Sequence, residues 1–297
     1  MKKFFALSRT THGVLDLATP GFCALLVLGN FPAWQVILLS IFTAFAAYTA
    51  IYALNDLVGI AVDKEKFTGG INAGYSVEAS DLRYPLAQNV LSYRSGILWF
   101  AVWFIAAGIG SYILNPTIVI ILVSATVLEV VYVLLFKVTY LRTFVSGLVK
   151  SSGPIAAVFV VDPNPSLSSL LLILAWVFFW EIGGQNVPAD WNDTVEDKRV
   201  HAKTIPLQLG TQTAGLIVII TLAVTVVASL FLPNVSPLKL GIPYLIASAA
   251  AGIYFLLLPG YQLSRQHEGR QAAKLFDSAS YYPLAQLAII TVFVLLN

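Results

Sequence analysis

Long apolar runs separated by short polar breaks make up most of this chain. Nine of them are close to the length needed to cross a hydrocarbon core ~30 Å thick as helices. They cover roughly residues 14–28, 33–54, 97–114, 117–136, 144–161, 168–184, 214–231, 242–258 and 280–296. The breaks at 29–32, 115–116, 162–165 and 233–241 are short and rich in Pro, Asn and Gly, as tight connections outside a bilayer require. Two connections are long, 56–96 and 187–213, and they follow the second and sixth helices. That four-helix spacing hints at an internal repeat. The pattern predicts an all-α polytopic membrane bundle of about nine transmembrane helices, with residues 1–297 forming a single domain.

Composition narrows the class. Of 297 residues, 58% are hydrophobic and only 11% charged, with a mean hydropathy of +0.81. No soluble domain of this size hides so much apolar surface. The single cysteine, Cys23, excludes an internal disulfide framework. A net charge of +2 carries no sign of a nucleic-acid partner, but its distribution is informative. Lys2, Lys3, Arg9, Lys64, Lys66, Arg83, Arg94, Lys137, Arg142, Lys198, Arg199, Lys203, Arg265, Arg270 and Lys274 all fall on alternate connections. The intervening connections hold only Lys239. By the positive-inside rule the first set is cytoplasmic, with the N-terminus inside. The opening MKKFFALSRTTHG then reads as a cytosolic tail, because Arg9 interrupts its apolar stretch.

The candidate chemistry sits on the two long connections. In NVPADWNDTVEDKRVHAKTIP, residues 186–206, Asp190, Asp193 and Asp197 recur at spacings of three and four, which on a helix put three carboxylates on one face. Lys198, Arg199 and Lys203 follow at once. Crowded carboxylates repel unless a divalent cation neutralises them, and Mg2+ bridges oxygen ligands to phosphates. The earlier connection begins LNDLVGIAVDKEK, where Asn55, Gly59 and Asp63 are spaced by four and Asp56 and Asp63 by seven. Asp16, Glu129, Lys150 and Glu181 lie within spans. Such residues face cavities or one another. Glu129 and Lys150 each lie eight residues (~12 Å) from a basic residue at the same surface and are expected to pair. Asp16 and Glu181 are candidates for lining a substrate pocket.

NDLVGIAVDKEK resembles the first acidic signature of the UbiA superfamily of intramembrane prenyltransferases, and DWNDTVEDKRVHAKTIPLQLG resembles its second. RYPLA at 83–87 is similar to the family's RPLA segment with Tyr84 as an extra residue, and YVLLFKVTYLR at 132–142 to its tyrosine-and-lysine stretch. The resemblance implies Mg2+-dependent transfer of a prenyl group from an isoprenyl diphosphate to an acceptor, often an aromatic quinone precursor, with the long loops capping the active site. It implies Asn55, Asp56, Asp63, Asp190, Asp193 and Asp197 as metal ligands. Lys137, Lys203 and Asp197 take catalytic roles, and Lys198, Arg83, Arg142, Tyr132 and Tyr140 bind substrate. Two departures stand out: Gly59 replaces the family's usual middle Asp, and His201 stands where Gly is common. The segment between Asp63 and Arg83 is also longer than usual. A membrane lipid environment, a prokaryotic inner-membrane location and a cytoplasm-facing site follow. The competing readings are a secondary transporter using the carboxylates as a cation site, and a degenerate family member with an unusual donor.

Overall fold

Each apolar run becomes a helix in the computed structural model, which describes residues 1–67 and 83–296. Part of the longer segment between Asp63 and Arg83, residues 68–82, therefore lies outside the described residues. Among the described residues nine helices are long and apolar enough to cross a bilayer. They are α1 (Thr10–Leu28), α2 (Trp34–Lys66), α3 (Tyr93–Leu114), α4 (Pro116–Lys137), α5 (Arg142–Val161), α6 (Leu167–Asn192), α7 (Ile205–Val235), α8 (Gly241–Gln266) and α9 (Gly269–Leu296).

Local signals set the helix starts. Ser92, Asn115 and Ser166 cap α3, α4 and α6, each accepting a backbone N–H with its side-chain oxygen, and Pro116 occupies the first turn of α4. The helices reach further into the polar ends than the apolar runs do. α2 continues a dozen residues beyond its apolar run, so Asn55 and Asp56 lie inside a helix. α7 starts at Ile205 instead of 214, but Gly210 breaks it with φ 78, a conformation that glycine adopts without steric cost.

Helices α2, α3 and α4 pack on one another, α4 packs on α5, and α5 packs on both α1 and α6. α6, α7, α8 and α9 continue the series, and α9 returns to α1. The main hydrophobic core lies in this second half, with Trp176, Trp191, Tyr244 and Tyr282 fully buried. Leu38, Val102, Ile120, Leu171, Ile246 and Leu295 stay exposed on the outer surface, as contact with lipid tails requires.

Helix α6 widens into a π-helical turn over Glu181–Asn186. Two glycines let neighbouring helices approach that turn closely. A Cβ on Gly183 would sit 2.2 Å from Thr221 Oγ1 and 3.1 Å from the Val218 carbonyl, and one on Gly184 would sit 2.9 Å from Ala279 Cβ. Gly183→Val is therefore expected to destabilise the bundle by about 1–3 kcal/mol through overpacking. Thermal unfolding in detergent checks this, and an unchanged midpoint would contradict it.

A cavity of about 430 Å³ opens between α1, α2, α4, α5 and α6. Along α2 its lining runs from Asn55 to Ile37, ~27 Å of helix axis. Its two halves differ. Asn55, Glu129, Tyr132, Lys150, Glu181 and Asn186 line one end, whereas Leu25, Phe31, Ile41, Leu114, Ile118 and Val161 line the other. The expected Glu129–Lys150 pair does not form. Lys150 Nζ lies 2.6 Å from Asp16 Oδ2 on α1, and Glu129 Oε1 accepts from Asn55 Nδ2 at 2.6 Å. Equal depth on neighbouring antiparallel helices did not decide the partners, because α1 and α2 offered closer ones.

Candidate active site

The polar end of the bundle gathers both acidic motifs and draws a basic residue to each carboxylate of the second. Asp190 lies in the last turn of α6, beyond the π-helical segment that begins at Glu181, Asp193 breaks the helix at φ −91 and ψ 9, and Asp197 lies on the short helix Thr194–Arg199. The three carboxylates therefore do not share one continuous helix face, as their spacing suggested, because the turn at Asp193 separates them. Asp190 pairs with Arg142 at the start of α5. Asp193 pairs with Arg83, and Arg83 also lies 4.0 Å from Glu196. Asp197 lies 2.6 Å from Lys66 Nζ at the end of α2.

Arg142 is buried, with its guanidinium 4.5 Å from the Tyr132 ring and 4.6 Å from the Phe136 ring, a favourable cation–π arrangement. Tyr132 also accepts a hydrogen bond from Asn186 Nδ2 at 2.8 Å, and Asn186 in turn accepts from Thr143. Lys66 Nζ lies over Phe136 at 4.5 Å. A single aromatic residue at the end of α4 thus sits beneath two of the cations.

The first motif faces the second across this gap. Asp63 and Asp197 feel each other's charge, and Lys66, Arg9 and Arg83 all attract Asp63. Asp56 pairs with Arg9 at 3.5 Å, and Asn55 donates to Glu129. Gly59 lies on the same face, since a Cβ there would be 3.3 Å from Asp63 Oδ2 and 3.6 Å from Val133. Burial works against the Asp193 charge, but Arg83 and then Lys66 outweigh it and hold that carboxyl below its usual range. For Asp197 burial, helped by repulsion from Asp193, prevails over Lys66 and raises the carboxyl. Neighbouring acids with opposite shifts are typical of a functional site.

The remaining predicted residues are placed differently. Lys137 is at the exposed rim, 2.6 Å from Glu65. Lys198 is exposed, and Lys203 is half-buried, with its backbone N–H bonded to the Phe136 carbonyl at 2.8 Å. Tyr140 is half-buried against the main core. Lys66 and Arg9 were not singled out by the sequence, although Lys66 is three residues from Asp63 and so shares its helix face. Two residues that depart from the family pattern adopt left-handed backbone. Tyr84, the extra residue of RYPLA, has φ 57 and is buried, and its hydroxyl accepts from Arg83 Nη2 at 2.8 Å beneath the guanidinium. His201 has φ 56, which explains why Gly suits that position.

Among the described residues no three His, Cys, Asp or Glu side chains converge as a metal cage. Mg2+ does not need one, because it keeps several waters and binds through one or two carboxylates plus phosphate oxygens. Asp190 Oδ2, buried and without a hydrogen-bond partner, offers such a ligand. The donor set, all oxygen with basic residues interleaved, fits a magnesium–diphosphate group.

A helical membrane bundle with this double acidic motif defines a class of intramembrane enzymes, and the comparisons agree. The model of the UbiA prenyltransferase family matches residues 17–284. The chain belongs to the UbiA prenyltransferase family. Its fold is shared with a UbiA homologue from Aeropyrum pernix K1, at 17% identity and a TM-score of 0.76 over 95% of this chain and 98% of that one. A UbiA homologue from Archaeoglobus fulgidus bound to DMAPP and Mg2+ matches at 15% identity and 0.69, over 98% and 99%. A structure of digeranylgeranylglyceryl phosphate synthase matches at 16% identity and 0.71, over 100% and 99%. No curated protein matches the sequence.

Proposed function

We propose that the protein transfers a prenyl group from an isoprenyl diphosphate to a lipophilic or aromatic acceptor within the membrane, with Mg2+ on the diphosphate. The observation that carries this reading is the meeting of two acidic motifs and four basic side chains next to a long, largely apolar cavity whose lining reaches Asn55, Asn186 and Ala189 beside them. The Archaeoglobus fulgidus homologue's complex with DMAPP and Mg2+ supports the same assignment of donor and metal. The positive-inside distribution supports a cytoplasm-facing site; a prokaryotic inner membrane and a cap formed by the two long connections of a single domain belong to the same reading.

Mg2+, when bound, would supply Lewis-acid neutralisation of charge on the diphosphate leaving group. Asp190, Asp193 and Asp197 on one side, and Asn55, Asp56 and Asp63 on the other, would hold the metal directly or through water. With Gly59 between them, Asn55 and Asp63 lie ~12 Å apart along the helix. One ion therefore cannot take both, and Asp63 works with Asp197. Arg83, Arg142 and Lys66 lie where they can turn from carboxylate to phosphate, and Lys137, Lys198 and Lys203 surround the rim. Arginine suits a phosphate as a bidentate fork, and lysine as a point charge. The Tyr132 ring, already a cation partner of Arg142, is the surface against which an allylic cation would be sheltered. The apolar half of the cavity would take the isoprenoid tail and keep water away.

Protein in nanodiscs, incubated with radiolabelled geranyl diphosphate or longer donors, should release diphosphate only with Mg2+, and chelation should stop it. Absence of release with every donor and acceptor offered would refute the reading. Tyr84→Phe keeps the ring but removes the hydroxyl that steadies Arg83. It should raise KM for the donor about 3- to 10-fold, the worth of one hydrogen bond. An unchanged KM would show that Tyr84 does not position Arg83.

A further inference from the structure

Below the diphosphate level the cavity holds a second polar tier that the donor and metal do not use. Its centre is Glu181, in the π-helical turn of α6. The Glu181 side chain is buried and lines the cavity, and its Oε1 accepts from Ser146 Oγ at 2.6 Å. Its other oxygen, Oε2, is buried without a hydrogen-bond partner. A carboxylate oxygen so placed strongly favours a donor from an incoming group, since leaving it unsatisfied is costly. Ser146 lies one turn along α5 from Arg142, ~6 Å deeper, which leaves room for one small head group between the two levels. π-turns of this kind recur at functional sites.

The surrounding charges decide which head group fits. Glu129 and Glu181 line the cavity, and Asp16, which does not line it, sits behind Lys150, which does. Lys150, the cation at this depth, lies 2.6 Å from Asp16 and donates to the Tyr52 hydroxyl at 3.2 Å. Arg9, nearer the mouth, lies 3.5 Å from Asp56, and His12 lies 3.7 Å from Asp16. An acceptor anchored here by its own carboxylate would add a further negative charge beside Glu181 in a low-dielectric space, which is strongly disfavoured. We propose that this tier is the acceptor-anchoring subsite, and that Glu181 selects acceptors whose anchoring group is an uncharged hydrogen-bond donor, a hydroxyl or phenol, over carboxylic acids. The inference rests on the prenyl-transfer reading for the word acceptor, but the binding preference can be measured without turnover.

The test compares para-hexylphenol with para-hexylbenzoate, titrated into the full-length protein in nanodiscs, with circular dichroism and gel filtration confirming the fold of each variant. Wild type should bind the phenol at least about tenfold more tightly than the benzoate, the discrimination expected of one hydrogen bond to a buried charge. Glu181→Gln removes the negative charge and can present an amide N–H in its place. It should weaken phenol binding about tenfold and bring the two probes level or reverse them. A wild type that binds the benzoate as well as the phenol overturns the inference without any variant, and so does an unchanged ratio in Glu181→Gln. Mg2+-dependent binding of geranyl thiolodiphosphate is measured on the same wild-type sample. Its absence would count against the prenyl-transfer reading alone, while the probe ratio decides the anchoring subsite either way.

Discussion

Asp190→Asn should lower kcat/KM for the isoprenyl diphosphate by two to three orders of magnitude, a loss on the order of that seen when one key electrostatic contact is removed from a dry site. Asp190 has a buried oxygen left without a hydrogen-bond partner, and its other oxygen holds Arg142. The amide keeps the shape and can still accept from the guanidinium, so the fold should survive. The substitution takes away the charge that a magnesium–diphosphate group needs. The loss should fall mainly on kcat, with a raised Mg2+ requirement, and wild-type turnover at ordinary Mg2+ would remove Asp190 from the site.

Lys66→Met should have the largest effect on stability. Lys66 is only 7% exposed, forms a 2.6 Å ion pair with Asp197 and packs over Phe136. Methionine fills similar volume and keeps the packing. Asp197 would then be buried beside Asp63 and Asp193 without its counter-ion. Breaking one side of a buried pair costs about 3–5 kcal/mol. Mg2+ with a diphosphate should restore part of that loss, since a ligand of the native state stabilises it by mass action. The double variant Lys66→Met, Asp197→Asn should regain stability and remain inactive. A single variant as stable as wild type in metal-free buffer would mean that Lys66 does not compensate Asp197.

Much of the architecture was legible in the sequence because hydrophobic burial in a bilayer leaves a coarse signal. Among the described residues the nine runs become nine helices, and Arg9, Lys66, Arg83 and Arg142 pair with acids at one end of the bundle. Helix ends were less legible, because apolar runs stop at the membrane surface whereas backbone hydrogen bonding does not. Hence α2 carries the first motif well past its apolar run and α7 begins before its own. The acids of both motifs could be named from spacing, but their partners could not. Which cation reaches Asp197 depends on the packing of α2 against the short Thr194–Arg199 helix, and spacing hid the break at Asp193. Glu129 and Lys150 found Asn55 and Asp16, since a depth argument places residues along the membrane normal but not around it. The π-turn at Glu181 has a faint trace in the Gly183–Gly184 pair, whose meaning emerges only against Thr221 and Ala279.

The central claim is that the two acidic motifs share metal at one site, and a double-mutant cycle on metal binding tests it most directly. Mn2+ would be titrated by electron paramagnetic resonance into protein saturated with geranyl thiolodiphosphate, using wild type, Asp63→Asn, Asp197→Asn and the double variant. Side chains acting on one ion give strongly non-additive losses. Each single variant should weaken Mn2+ binding nearly as much as the double variant does. Losses that simply add, or an Asp63→Asn protein that binds Mn2+ as wild type does, would contradict the account.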